Sequence, residues 1–287
     1  MKAFFRHLLV LGLLGFGISV AMAQVETTEV LVKTVGESPN SDAVIPKEIP
    51  GILKLPPGNN LPAVLILHGS NGIDGRGDSY AQALNAAGIA TLEIDMWKPR
   101  NVINLRSRPK SFFDTLPDVW GGWAFLSNQP RINKQNIGVL GFSWGGTLAV
   151  ITGFNGKPKN APEEIKSAKF KAHAPLYPGC HFMLGRAKAP LNAKGPSGSP
   201  ILLQVGSKDD YENEGDCAKL NEAFPTAPIR VVVFEGVTHG FDGANSMSFY
   251  DPLAKDGAGG NIQITPNQVA ANQARENVVK FFKESLR

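Results

Sequence analysis

Cysteine, charge and long apolar stretches are all scarce in this chain, and each scarcity excludes something. Two cysteines in 287 residues cannot staple a small disulfide scaffold. Charged residues are 19% of the chain, the formal net charge is +4, and no Lys/Arg cluster stands out. Nucleic acid is therefore not an expected partner. A coiled coil is excluded by 31 Gly and 21 Pro, and disorder by an apolar fraction of 43%. No internal repeat and no low-complexity tract follows residue 23.

The one long apolar run lies at the start, from Leu8 to Val20. Lys2 and Arg6 precede it, and Ala21-Met22-Ala23 closes it with small residues where a signal peptidase reads. The run holds Gly12, Gly15 and Gly17 and is short for a bilayer span, and nothing like a stop-transfer segment follows. Residues 1–23 thus read as a signal peptide, with residues 24–287 as the mature domain and no stable membrane anchor after cleavage. Removal of Lys2 and Arg6 leaves 27 bases against 25 acids. The expected location is the periplasm or the exterior, where disulfides form.

Beyond residue 23, short apolar runs alternate with helix-length segments. Pro62 to Leu67, Ile89 to Ile94, Asn136 to Gly141, Lys171 to Leu176, Pro200 to Val205 and Ile229 to Phe234 read as strands. Helices are expected over Tyr80 to Ala87, Asp114 to Leu126, from Thr147, and over Asn267 to Leu286. Continuous apolar strands separated by helices predict an α/β domain with a mostly parallel sheet covered on both faces. Thr27 to Leu55 is expected to add antiparallel strands at the sheet edge. Gly72 to Gly77 reads as a loop over the rim of the site, and Asn155–Lys169 and Gly185–Ser199 as surface excursions.

The most informative residues are Gly141-Phe142-Ser143-Trp144-Gly145-Gly146. A strand runs into them and a helix runs out. Such a turn lifts a serine hydroxyl above the sheet, at the positive end of the helix, and needs small residues at both flanks. Ser143 is the candidate nucleophile. A hydroxyl needs a base, and in this topology the order along the chain is nucleophile, acid, histidine. His7 lies in the signal peptide, His68 precedes Ser143, and His173 and His181 precede any late acid. His239 remains, in a loop just after a late strand. The acid is expected where Pro200 to Val205 ends, at Gly206-Ser207-Lys208-Asp209-Asp210. Asp209 is the first choice, and Asp210 is the rival if the register slips by one.

An oxyanion hole needs two backbone N–H groups. Trp144, the residue after the nucleophile, is expected to supply one, and Ser70, with Asn71 next, the other. His68 reads as structural. No metal and no cofactor are expected, since the histidines are scattered and the glycine-rich segment lacks a phosphate-loop lysine. Trp97, Trp120, Trp123, Phe112 and Phe113 read as core before acyl pocket. Cys180 and Cys217 follow successive strands that should leave the same edge of a parallel sheet, so a disulfide between them is expected beside the acid turn.

The segments LILHGS (65–70), GFSWGG (141–146), LLQVGSKDD (202–210) and GVTHGF (236–241) together resemble the dienelactone hydrolase family of α/β-hydrolases. The resemblance implies the α/β-hydrolase fold from about Leu61 to the C-terminal helix. Its name-giving members use a cysteine nucleophile where this chain has Ser143, so their lactone substrate is not carried over. The expectation is an exported serine esterase acting on a small-molecule ester. A peptidase of the same fold and a non-catalytic binding protein are the alternatives.

Overall fold

A computed structural model describes residues 24–181, 184, 195–213, 215–252, 254 and 258–287. The expected signal peptide and residues 185–194 lie outside these. Among the described residues, no helix is long and apolar enough to cross a membrane.

The strands are β1 (Glu26–Lys33), β2 (Glu48–Leu55), β3 (Leu61–Leu67), β4 (Ala90–Ile94), β5 (Ile132–Phe142), β6 (His173–Leu176), β7 (Ile201–Lys208) and β8 (Ile229–Thr238). They form one sheet in the order β1-β2-β4-β3-β5-β6-β7-β8. From β4 to β8 every pairing is parallel, while β1 and β2 close one edge antiparallel. Between the strands run α1 (Arg76–Ala86), α2 (Leu116–Ser127), α3 (Trp144–Gly153), α4 (Glu163–Ser167) and α5 (Asp216–Ala223), and α6 (Gln268–Ser285) closes the chain. The mostly parallel sheet with its helices is the α/β-hydrolase fold.

Alternation along β3 explains why both faces are covered. Ala63, Leu65 and Leu67 enter one core layer, with Trp120 of α2, Leu148 of α3 and Leu220 of α5. Val64 and Ile66 enter the other, with Tyr80 and Leu84 of α1 and Ala274, Val278 and Phe282 of α6. Each central strand is thus apolar on both faces, which reads in sequence as an unbroken run. The chain leaves β3 toward β4 on one side and β5 toward β6 on the other. Loops diverging from neighbouring strand ends open a crevice at the carboxyl edge of the sheet, where ligands bind in open α/β sheets.

Two expectations needed correction, and one element was not foreseen. Helix α1 begins at Arg76, so the glycine-rich segment is not a loop throughout. Gly77 sits in the first turn because a Cβ there would lie 2.0 Å from Glu93 Oε1 on β4. Strands β7 and β8 run on to Lys208 and Thr238, each ending one residue before a candidate site residue. Finally, a separate antiparallel hairpin, β9 (Met247–Asp251) and β10 (Gly260–Ile264), follows the His239 loop. It has its own small core of Ala254, Ile262 and Ile264, with Tyr211 and Phe249 packed against it. The aromatic cluster is largely core, with Trp97, Trp120 and Trp123 all buried.

Candidate active site

Ser143 joins the end of β5 to the start of α3 with φ 49° and ψ −106°, a conformation that residues with a side chain rarely adopt. Its neighbours show why the turn demands glycine. A Cβ on Gly141 would lie 2.1 Å from the Gly145 carbonyl oxygen, and one on Gly145 would lie 2.2 Å from that of Leu67. Both obstacles are backbone, which cannot swing aside. The elbow is tied down by Ser143 N–H to the Leu176 carbonyl (3.0 Å) and Gly145 N–H to that of His68 (3.2 Å). The Trp144 N–H lies between these two engaged amides, at the first turn of α3.

His239 meets both predicted partners. Its Nδ1 lies 2.7 Å from Asp209 Oδ2 and its Nε2 2.9 Å from Ser143 Oγ. The carboxylate can only accept, so the ring proton sits on Nδ1 and the Nε2 lone pair faces the hydroxyl. Asp209 Oδ1 is taken by the Tyr211 N–H at 2.9 Å. The rival, Asp210, turns the other way and accepts the Gln263 N–H of β10 at 2.8 Å. Gly206 lets β7 and β8 close up beneath the pair, since a Cβ there would meet the Val237 carbonyl oxygen at 2.1 Å. The imidazole packs against two tyrosine rings, Tyr177 at 4.8 Å and Tyr211 at 4.5 Å between centroids.

The loop after β3 crosses directly in front of the elbow. A Cβ on Gly69 would lie 3.4 Å from that of Ser143. The next residue, Ser70, is held at both ends: Trp97 Nε1 donates to its carbonyl at 2.9 Å and Arg108 to its Oγ at 2.9 Å. Trp97 in turn packs edge-on against Trp144 at 5.5 Å. His68 is buried and donates from Nδ1 to the Gly69 carbonyl, while Nε2 accepts the Met96 N–H. Burial lowers its pKa, so it stays neutral and serves as a strut between this loop and the end of β4.

The two cysteines form a disulfide, linking the loop after β6 to α5. Glu212 lies close enough to both sulfurs to complete a three-ligand metal cluster, but bonded sulfurs are not thiolate ligands. Beside them His181 pairs with Glu212 at 2.9 Å. His173 is buried under α3, and burial drives its pKa down to about 3. Tyr177, Tyr211, Arg108 and Asp251 border the site with no local signal in the sequence. They lie in segments whose composition reads as turn or solvated loop.

The sequence profile of the dienelactone hydrolase family matches residues 49–286. A Bradyrhizobium protein described as a probable 2-oxo-3-(5-oxofuran-2-ylidene)propanoate lactonase is 22% identical over 217 residues, 71% of this chain and 82% of its own. A dienelactone hydrolase from Anabaena variabilis superimposes with a TM-score of 0.59 at 21% identity, over 92% of this chain and 100% of that one. Esterase 2 from Thermogutta terrifontis, solved phosphoramylated by tabun, gives 0.63 at 17% identity over 92% and 95%. A dienelactone hydrolase-like promiscuous phosphotriesterase from metagenomic libraries gives 0.64 at 17% identity over 91% and 99%.

Proposed function

The chain belongs to the dienelactone hydrolase family, and on that premise we propose that this hydrolase cleaves carboxylic esters or lactones through an acyl-enzyme on Ser143. One observation carries the reading: a single imidazole, His239, hydrogen-bonds the Ser143 hydroxyl through one nitrogen and the Asp209 carboxylate through the other. Ordinary packing has no need of that alignment above a strained turn.

His239 Nε2 takes the Ser143 proton as Oγ attacks the carbonyl carbon, and Asp209 steadies the imidazolium that forms. The negative charge on the carbonyl oxygen falls to the N–H groups of Trp144 and Ser70. Collapse of the tetrahedral species breaks the bond to the alcohol, which leaves with the proton from His239. Water then gives a proton to His239 as it attacks the acyl carbon, and the second collapse breaks the acyl–Oγ bond, with His239 returning that proton to Ser143 Oγ as the acid leaves. In a lactone the leaving alcohol stays tethered to the acyl group, and the steps are the same. No step draws on a cofactor or metal.

Residues 1–23 are proposed to be removed on export, leaving a domain of residues 24–287 in the periplasm or outside the cell. The Cys180–Cys217 disulfide supports an oxidising destination. The test of the chemistry is Ser143→Ala assayed on p-nitrophenyl acetate, with a fluorophosphonate probe in parallel. Turnover should fall about a million-fold, as it does when serine proteases lose their nucleophile, and labelling should vanish. A variant that keeps a tenth of wild-type turnover would remove Ser143 from this role. A wild-type protein that never labels would point to a binding protein.

A further inference from the structure

Arg108 and Asp251 stand apart from the Ser143–His239–Asp209 alignment, yet both are buried and reach it through Ser70 and Tyr211. Asp251, the last residue of β9, is fully buried, and Arg108 is 6% exposed at its side chain. Arg108 divides its guanidinium among three acceptors. One nitrogen donates to Ser70 Oγ at 2.9 Å, the second to Asp251 Oδ1 at 3.0 Å, and Nε to the Leu105 carbonyl at 2.8 Å. The other oxygen of Asp251 accepts the Tyr211 hydroxyl at 2.7 Å. Tyr211 is the residue whose backbone N–H holds Asp209 and whose ring lies on His239. One unbroken chain of bonds thus runs from the oxyanion loop to the acid–base pair, and its midpoint is a carboxylate on the hairpin. The hairpin is docked at two further points, Gln263 N–H on Asp210 and Asn71 Nδ2 on Met247 Sδ.

Desolvating two charges is expensive, and a buried pair is weak evidence of stability alone. A planar guanidinium shared among fixed acceptors does, however, define position. We propose that Arg108 and Asp251 are positioning residues that hold the Ser70 amide at the distance a developing oxyanion requires, with the β9–β10 hairpin bracing the oxyanion loop against the acid turn. The inference rests on the serine-hydrolase reading above. A donor aimed at charge that appears only in the transition state acts on kcat and leaves ground-state binding alone.

Arg108→Met keeps the length of the side chain and removes its donors. With p-nitrophenyl acetate, kcat should fall about 100-fold with KM within about threefold, the scale of losing or misplacing an oxyanion donor. Ser70→Ala keeps the backbone N–H and deletes only the tether, so it should reproduce most of that fall. The double variant should be no slower than the slower single one, since both cut one bond. Affinity for a trifluoromethyl ketone, which forms the tetrahedral adduct, should weaken in step with kcat/KM across the series. Folded Arg108→Met at more than a third of wild-type kcat overturns the proposal, as does a loss confined to KM. Should Arg108→Met fail to fold, Ser70→Ala and Tyr211→Phe decide it, and wild-type kcat in both overturns it. If Ser143→Ala is dead while these variants are fully active, the bracing fails and the nucleophile assignment stands.

Discussion

Glu93 on β4 offers a measurable consequence of burial. Its carboxyl is pressed against Gly77 in the first turn of α1, and the residue is 7% exposed. Burial is the main cause of its raised pKa, about 7 against an ordinary 4.5, and the nearby charges of Asp78, Asp74 and Asp95 add to it. Lys54 opposes the rise but is itself engaged by Asp78. Below pH 4.5 the folded and unfolded chains both hold this proton. From there to pH 7 the unfolded chain releases it first, so the folded state binds more protons and stability falls as pH rises. Above pH 7 the folded state carries a buried carboxylate at a penalty of about 3 kcal/mol, at 1.36 kcal/mol per unit. Glu93→Gln cannot ionise. Urea unfolding at pH 5 and pH 8 should therefore show wild type losing about 2 to 3 kcal/mol more than the variant between those conditions. A difference in pH dependence below about 0.5 kcal/mol, within the scatter of such comparisons, would refute the reasoning.

Four further outcomes are expected. Asp209→Asn should lower kcat by about four orders of magnitude, because an amide leaves the imidazole in the wrong tautomer. Asp210→Asn keeps an oxygen for Gln263 N–H and should do little, and the reverse result would reassign the acid. Gly145→Ala drives a methyl group into the Leu67 carbonyl, so loss of activity with a melting temperature lowered by several degrees is expected. An unchanged melting curve would mean that the elbow is looser than described. Reducing the Cys180–Cys217 bond opens a ring closed across 37 residues and should destabilise the fold by about 4 kcal/mol. Chemical denaturation with and without a reductant measures this, and coincident curves would deny the bond a role.

What was legible in the sequence follows from how local the governing physics is. Strand β3 and the second half of β5, Ile137 to Phe142, announce themselves because burial on both faces removes any polar alternation. The elbow is legible because backbone crowding around Ser143 allows only glycine at 141 and 145. His239 and Asp209 follow from chain order, which the topology of the sheet imposes. Arg108 was not legible, because it lies in the polar stretch Lys98 to Lys110, which composition assigns to solvent. It becomes buried only when Asp251, 143 residues later, folds back to meet it. The hairpin carrying Asp251 escaped for a similar reason. Met247-Ser248-Phe249-Tyr250-Asp251 and Gly260-Asn261-Ile262-Gln263-Ile264 are short and mixed in polarity, and their apolar side chains cover a small core that no periodicity signals.

If Ser143 is the nucleophile proposed above, its backbone sets function against durability at one residue. A positive φ at a residue bearing a Cβ carries a strain of about 1 to 3 kcal/mol, which glycine would not bear. Selection for stability alone would favour Ser143→Gly and a quieter protein, with the surrounding glycines ready to accept it. An alanine at the same place keeps the strain and loses the hydroxyl, so it gains nothing on either count. On the proposed reading, the strain at Ser143 is kept for the hydroxyl that the turn presents.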